Sequence, residues 1–147
     1  MTLKRQNVKY KLSHFKRHGG IKMRTIIIIN EQHSLLPQQS ELIRKELGEE
    51  IELKKIPAEG INRREIEIMT EDLNKLNNVN IVILSPIPLL LGRLAYHQGE
   101  LQTLAMYGGS SENHVYILHN DQREKKQLPN GVVRSAVAQE GWELIEI

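Results

Sequence analysis

The sequence predicts a three-layer α/β/α domain built on a mainly parallel sheet. Residues 26–29 and 81–84 are apolar runs without polar alternation, which is typical of strands buried on both faces. Segments with apolar residues at helical spacing lie between the predicted strands, and right-handed crossovers would then place helices on both faces of the sheet. The chain has 147 residues, a common size for one domain. We expect this single domain to cover residues 23–147.

The first half of the domain predicts two strand–helix units. The first strand ends at Asn30, and a helix begins at Pro37, because proline fits the first turn of a helix. Residues 51–56 alternate between apolar and polar side chains, which suits a half-exposed edge strand. Asn62, with Glu65 three residues later, resembles a capping box and predicts the start of the second helix.

The second half predicts a third strand–helix unit and further strands. The central strand stops at Ser85, and the helix that follows ends or bends at Gly99. Residues 114–118 predict a fourth strand. The turn residues 129–131, between short apolar segments, predict a β-hairpin, and residues 142–147 predict a terminal strand.

The predicted strand order is 2-1-3-4, which puts the switch point of the sheet between the first and third strands. Ligands bind at the carboxyl ends of the strands in sheets of this kind. The loops at residues 30–34, 85–88 and 119–123 would meet there. The candidate ligand-binding residues in these loops are Asn30, Gln32, Ser34, Ser85, Ile87, His119 and Asn120.

The residue types present in the chain limit the reactions and ligands that such a site could support. The chain has no cysteine, which excludes disulfides, thiolate catalysis and thiolate metal sites. It lacks the glycine-rich phosphate loops of dinucleotide-binding and P-loop proteins. Neither His33 nor His119 of the predicted loops has a second histidine at the HxxxH spacing of zinc sites, so we predict neither a cofactor nor a metal. Amides, helix N-termini, histidines and arginines remain, and these groups suit phosphate.

Charge is distributed unevenly along the chain. Residues 1–24 carry eight Lys and Arg and no acid, so the other 12 Lys and Arg stand against 18 Asp and Glu. The leader, residues 1–22, is interpreted as a disordered tail, as an arm that grips phosphates, or as translated sequence upstream of a natural start at Met23. RNA is an expected partner only through this leader. With no apolar run of membrane-spanning length and no signal peptide, we expect a cytoplasmic protein without a membrane partner.

Two segments carry a resemblance to a known family. The segment IIIINEQHSLLPQQSELIRKELG, with His33, Pro37 and Gln39 at the start of a loop and helix, resembles the opening of small single-domain Csx-type CRISPR accessory proteins. The segment HNDQREKKQLPNGVVRSAV resembles their C-terminal part. Leu36 departs from the family, in which a threonine-like cap is expected. The family is related to the CRISPR-associated Rossmann fold and includes ring nucleases, so the resemblance implies a Rossmann-like domain.

The resemblance also implies a function and a partner. It implies a homodimer whose carboxyl edges face a shared groove that binds a cyclic oligoadenylate, most simply cyclic tetra-adenylate. Active relatives cut the ring without metal, by attack of a ribose 2′-hydroxyl on the adjacent phosphate. On this basis His33 would assist proton transfer, Arg93 or Arg123 would stabilise phosphate charge, and Asn30, Ser85 and Asn120 would hold adenine or ribose.

Plainer interpretations of these residues remain open. His33 could be an exposed loop histidine with a local hydrogen bond, Arg93 an ordinary surface residue of a helix, and Arg123 part of a solvated turn. Two other functions also fit the sequence. One is a sensor or sponge of the same fold that binds the messenger without cutting it. The other is an RNA-associated accessory protein that uses the basic leader.

Overall fold

The structure is a computed structural model, and it describes residues 23–85, 87–106 and 113–147. The leader, residues 1–22, lies outside the described residues, so the three interpretations of it stay predictions.

The described residues form seven strands and three helices. The strands are β1 (Arg24–Asn30), β2 (Ile51–Ile56), β3 (Val79–Ile83), β4 (Asn113–His119), β5 (Arg123–Gln127), β6 (Val133–Val137) and β7 (Glu143–Glu146). The helices are α1 (Pro37–Leu47), α2 (Arg63–Asn74) and α3 (Pro88–Met106).

Five strands form one mixed sheet in the order β2-β1-β3-β4-β7. The first four strands are parallel, which confirms the predicted order 2-1-3-4, and β7 adds an antiparallel edge beside β4. Strands β5 and β6 pair with each other in a separate antiparallel ribbon. The polypeptide therefore leaves the main sheet after β4, forms the ribbon, and returns as β7.

The central strands are buried on both faces, as their unbroken apolar sequences predict. On one face, Ile26 and Ile28 pack in a cluster with Leu90 and Leu94 of α3. On the other face, Ile27 and Ile29 belong to a second cluster that includes residues of α1 and β4. The side chains of a strand alternate between its faces, so each helix layer covers alternate residues of β1. Full burial of one such side chain contributes roughly 1.5–3 kcal/mol.

The helix starts follow the sequence in one case and depart from it in another. At α2, Asn62 Oδ1 accepts a hydrogen bond from the Glu65 backbone N–H at 2.9 Å, which confirms Asn62 as the cap of the helix. The Glu65 carboxylate accepts from Asn62 Nδ2 at 2.7 Å, and not from the Asn62 backbone N–H as it would in a capping box. At α1, Leu36 provides no side-chain cap. The buried Gln39 instead accepts from the Leu36 backbone N–H at 2.9 Å, so a glutamine reaching backwards fixes this helix start.

The third helix continues through Gly99 to Met106. Of the two alternatives at Gly99, an end or a bend of the helix, the end is therefore wrong. Gly99 lies in a helical turn with nothing within 4 Å of its Cβ position. In the part of the chain that the structure describes, no helix combines the length and the apolar character needed to cross a bilayer.

Tyr116, in the core, predicts that the free energy of unfolding depends on pH in the alkaline range. Burial, and then the nearby carboxylates of Glu146 and Glu46, raise the pKa of its phenol far above the ordinary value. The unfolded chain loses this proton near pH 10 while the folded chain keeps it. The stabilisation is therefore complete below about pH 10 and is lost as the pH rises above it.

We expect Tyr116→Phe to remove this loss of stability at alkaline pH. Urea unfolding at pH 8 and at pH 11 should show a smaller drop in the free energy of unfolding for Tyr116→Phe than for wild type. The matched control is Tyr96→Phe, since Tyr96 is 73% exposed. An equal alkaline loss in all three proteins would contradict the assignment.

Candidate functional site

The loops after β1 and β3 meet at the carboxyl edge of the sheet. The Asn30 backbone N–H donates to Ser85 Oγ at 2.8 Å. The Leu84 backbone N–H donates to the Ile28 carbonyl at 2.9 Å, just beside this contact. Two residues that are 55 positions apart in the chain are thus joined directly, and the two loops form one surface.

The polar groups of Asn30 are used within the protein. Its Oδ1 accepts from the Gln32 backbone N–H at 2.9 Å, and its Nδ2 donates to the Pro57 carbonyl at 3.3 Å. Its carbonyl accepts from the His33 backbone N–H at 2.9 Å. Asn30 and Ser85 therefore shape the loop after β1, and these contacts compete with the ligand-binding role expected from the sequence.

The remaining side chains of this loop face solvent. Gln32, His33 and Ser34 are all exposed. Among the described residues, none makes a side-chain hydrogen bond or ion pair with His33. Glu31 points elsewhere, because its Oε1 accepts from the Ala58 backbone N–H at 2.7 Å and ties the loop to the segment after β2. The loop therefore presents an imidazole, an amide and a hydroxyl on a braced backbone.

Asn120, just beyond β4, is buried and fully hydrogen-bonded. Its Nδ2 donates to the Ala138 carbonyl at 3.1 Å and the Glu140 carbonyl at 2.8 Å, and its Oδ1 accepts from the Gln122 backbone N–H at 3.0 Å. Gly141 completes this arrangement, since its φ is 92° and Gln122 Oε1 lies 2.7 Å from the position that a Cβ would take. Asn120 therefore anchors the chain between β6 and β7, because both hydrogens of Nδ2 and one acceptor site of Oδ1 are used within the protein.

Ile87 and His119 flank the edge in different ways. Ile87 is half-buried against the core, and its carbonyl accepts from the Leu91 backbone N–H in the first turn of α3. His119 is the last residue of β4, is exposed, and pairs in register with Glu143 of β7. Ile87 thus contributes to the start of the helix, whereas His119 is accessible.

Arg93 is joined to a neighbouring helix. Its Nη2 lies 3.4 Å from Glu67 Oε1 on α2, and the same carboxylate oxygen lies 3.3 Å from Arg63 Nε. These side chains are well exposed, so the pairs contribute at most about 1 kcal/mol each. Among the described residues, Arg93 contacts none of the predicted site residues by a hydrogen bond or ion pair.

Arg123 begins the ribbon formed by β5 and β6, whose residues are almost all exposed. In the ladder, Lys126 lies directly opposite Arg134. Within the described ranges, these three residues and Lys125 have no ion-pair partner. Like charges directly opposite each other destabilise a β-ladder. The two strands of the ribbon carry an excess of positive charge, since Glu124 is their one acid. In the sequence, the run of charged residues that flanks the turn at residues 129–131 was the feature from which this surface could have been predicted.

Acidic and histidine side chains do not gather into a metal site in the described ranges, where no group of three or more could hold an ion.

Comparisons of the chain with protein families, curated proteins and solved structures find no significant match.

We expect Asn120→Ala to destabilise the protein by about 2 kcal/mol, because two backbone carbonyls and one N–H lose their partner together. Chemical denaturation measures this change. Gln127→Ala, at an exposed position of β5, is the control and should change the free energy of unfolding by less than about 0.5 kcal/mol. Equal stability of Asn120→Ala and wild type would show that these hydrogen bonds do not hold the connection.

Proposed function

We propose that the carboxyl edge of the sheet binds a cyclic oligoadenylate, most simply cyclic tetra-adenylate, and that the protein is a cytoplasmic CRISPR accessory ring nuclease with a Rossmann-like fold. One observation carries the proposal. The hydrogen bond between Asn30 and Ser85 braces a loop that exposes Gln32, His33 and Ser34 at the switch point of a parallel sheet. Ligands of such sheets bind at this point.

Charge supports an anionic ligand at this edge. The chain from residue 25 onward is acidic overall, with 12 Lys and Arg against 18 Asp and Glu, so a phosphate must be attracted by a local surface. The ribbon supplies that surface, and Arg123 is its residue nearest in sequence to the end of β4. A guanidinium can form two parallel hydrogen bonds with a phosphate, which suits Arg123 to this role.

The reaction needs few protein groups. A ribose 2′-hydroxyl of the ring attacks the adjacent phosphorus, an O–P bond forms, and the bond to the 5′-oxygen breaks. The 2′-proton leaves, the 5′-oxygen gains a proton, and the product ends in a 2′,3′-cyclic phosphate. His33 would transfer one of these protons, and Arg123 would stabilise the charge that develops on the phosphate.

Binding without cleavage is the second candidate. It is favoured by the surroundings of His33, whose imidazole has no orienting side chain among the described residues. Catalytic bases are commonly held in place by a third group, and a free imidazole is less well positioned for proton transfer. The protein would then be a sensor or sponge that uses the same surface.

Incubation of cyclic tetra-adenylate with the protein and a chelator, followed by chromatography, separates these functions. Wild type should convert the ring to linear products with cyclic-phosphate ends. We expect His33→Ala to lower the rate by about 100-fold or more, since general acid–base catalysis contributes roughly 10²–10⁴-fold. Arg123→Gln should weaken binding of cyclic tetra-adenylate by about tenfold. The control Arg64→Gln, at an exposed position of α2, should behave as wild type.

An intact ring with measurable binding would select the sensor or sponge. Absence of binding at millimolar ring would refute the proposal as a whole. If both His33→Ala and Arg123→Gln turned over the ring at the wild-type rate, the residue roles would be wrong.

A further inference from the structure

The ribbon formed by β5 and β6 has little to pack against. Its strands pair with each other and not with the five strands of the main sheet. Every residue of the two strands is exposed except the half-buried Ala136. Two-stranded ribbons of this kind are marginally stable by themselves, because they bury little apolar surface. The ribbon therefore adds a surface to the domain and not a part of its core.

The two faces of the ribbon differ in charge. Side chains alternate between the faces of a strand, and residues directly opposite each other in the ladder share a face. One face, the cationic face, carries Arg123, Lys125, Gln127, Val133, Ser135 and Val137. The one acid of the two strands, Glu124, lies on the other face, and its Oε1 accepts from the Gln139 backbone N–H at 3.4 Å. The cationic face thus combines two cations, an amide and a hydroxyl with two valines and no acid.

The ribbon is also the cationic part of an acidic domain. Its strands hold four of the 12 Lys and Arg of residues 25–147 and one of their 18 Asp and Glu. A polyanion is therefore attracted by the ribbon and repelled by the rest of the domain, which restricts how it approaches. At about 3.4 Å per residue, β5 extends over roughly 17 Å, a length over which a nucleic-acid duplex presents several phosphates.

We propose that the cationic face binds double-stranded DNA by entering its major groove. The major groove of B-form DNA is about 12 Å wide and admits a two-stranded β-ribbon. The charges of ribbon and duplex are complementary, and the complex covers the two exposed valines of this face, Val133 at 58% and Val137 at 39%. DNA is then a second ligand of the protein, and its binding does not depend on the cyclic oligoadenylate.

The side chains of the cationic face are of the types that recognise the edges of bases. Arginine and lysine donate to guanine, glutamine bonds to adenine, and an apolar side chain contacts the methyl group of thymine. Lys125 and Gln127 lie toward the exposed turn at residues 129–131, so they are the cation and the amide that enter the groove. Duplex RNA has a deep and narrow major groove that side chains cannot read, which favours DNA as the occupant.

Fluorescence anisotropy of a labelled DNA duplex, titrated with the full chain, tests which face makes the contact. Lys125→Gln should weaken binding by about tenfold, since it removes a contact to a base. The matched control is Lys126→Gln, which removes the same charge from the neighbouring residue on the opposite face and should weaken binding by less than about threefold. The basic leader is present in both variants, so a difference between them comes from the ribbon. Equal affinities of the two variants, or a Lys125→Gln variant that binds like wild type, would overturn the proposal.

Dimethyl sulfate footprinting tests the groove. This reagent methylates guanine N7, which lies in the major groove, and adenine N3, which lies in the minor groove. Wild-type protein should protect guanine N7 and leave adenine N3 reactive, and Lys125→Gln at the same concentration should protect guanine N7 less. Protection of adenine N3 alone, or of neither atom at saturating protein, would show that the ribbon does not enter the major groove.

An RNA duplex of the same sequence separates groove recognition from general attraction to phosphates. Lys125→Gln and Lys126→Gln should bind this RNA with equal affinity, because the ribbon cannot enter its major groove and each variant loses one charge. A Lys125→Gln loss as large with RNA as with DNA would overturn the assignment to DNA and indicate a surface for any nucleic-acid duplex.

Discussion

Burial of β1 and β3 between two helical layers is the constraint on which the rest of the structure depends. Four consecutive isoleucines in β1 leave no polar face for solvent, so helices must cover both sides. Helical crossovers then make neighbouring strands parallel, and parallel strands end at the same edge. The loops that follow β1 and β3 are neighbours for this reason, although they are far apart in the chain.

Some polar residues at the edge of the sheet hold the backbone in its conformation, and others keep their side chains accessible to solvent. Asn30, Ser85 and Asn120 use their hydrogen-bonding groups to hold backbone, which a buried or half-buried amide or hydroxyl must do to avoid the cost of desolvation. His33 is held at this edge through its backbone N–H and keeps its side chain exposed, and Arg123 is exposed on the separate ribbon. A surface of this kind combines a rigid frame with a few adaptable groups, as ligand sites generally do.

The ribbon of β5 and β6 holds an excess of positive charge outside the main sheet. Lys126 lies opposite Arg134 in its ladder, and like charges in this position destabilise a β-ladder. Glu124 on the same strand offsets part of this charge. An anion beside the ribbon would reduce the remaining repulsion.

Local patterns in the sequence predicted what depends on local chemistry. The apolar runs gave the buried strands, the spacing of strands and helices gave the order 2-1-3-4, and Asn62 with Glu65 predicted the start of α2 correctly. Contacts between residues that are far apart in the chain could not be predicted from such patterns. The return of the chain as β7 beside β4, and the anchoring of that return by Asn120, join residues whose contact no local pattern encodes. At Gly99 the sequence left an end or a bend of the helix open, and the structure excludes the end, because the helix continues past a glycine that helix propensity alone disfavours.

The most direct measurement is an amide chemical-shift titration of the isotope-labelled protein with cyclic tetra-adenylate in the presence of a chelator. The account predicts that the shifts concentrate on Gln32, His33, Ser34 and Arg123, with none at residues 47–51 at the opposite edge of the sheet. Shifts centred on that opposite edge, or no shifts at millimolar ligand, would contradict it.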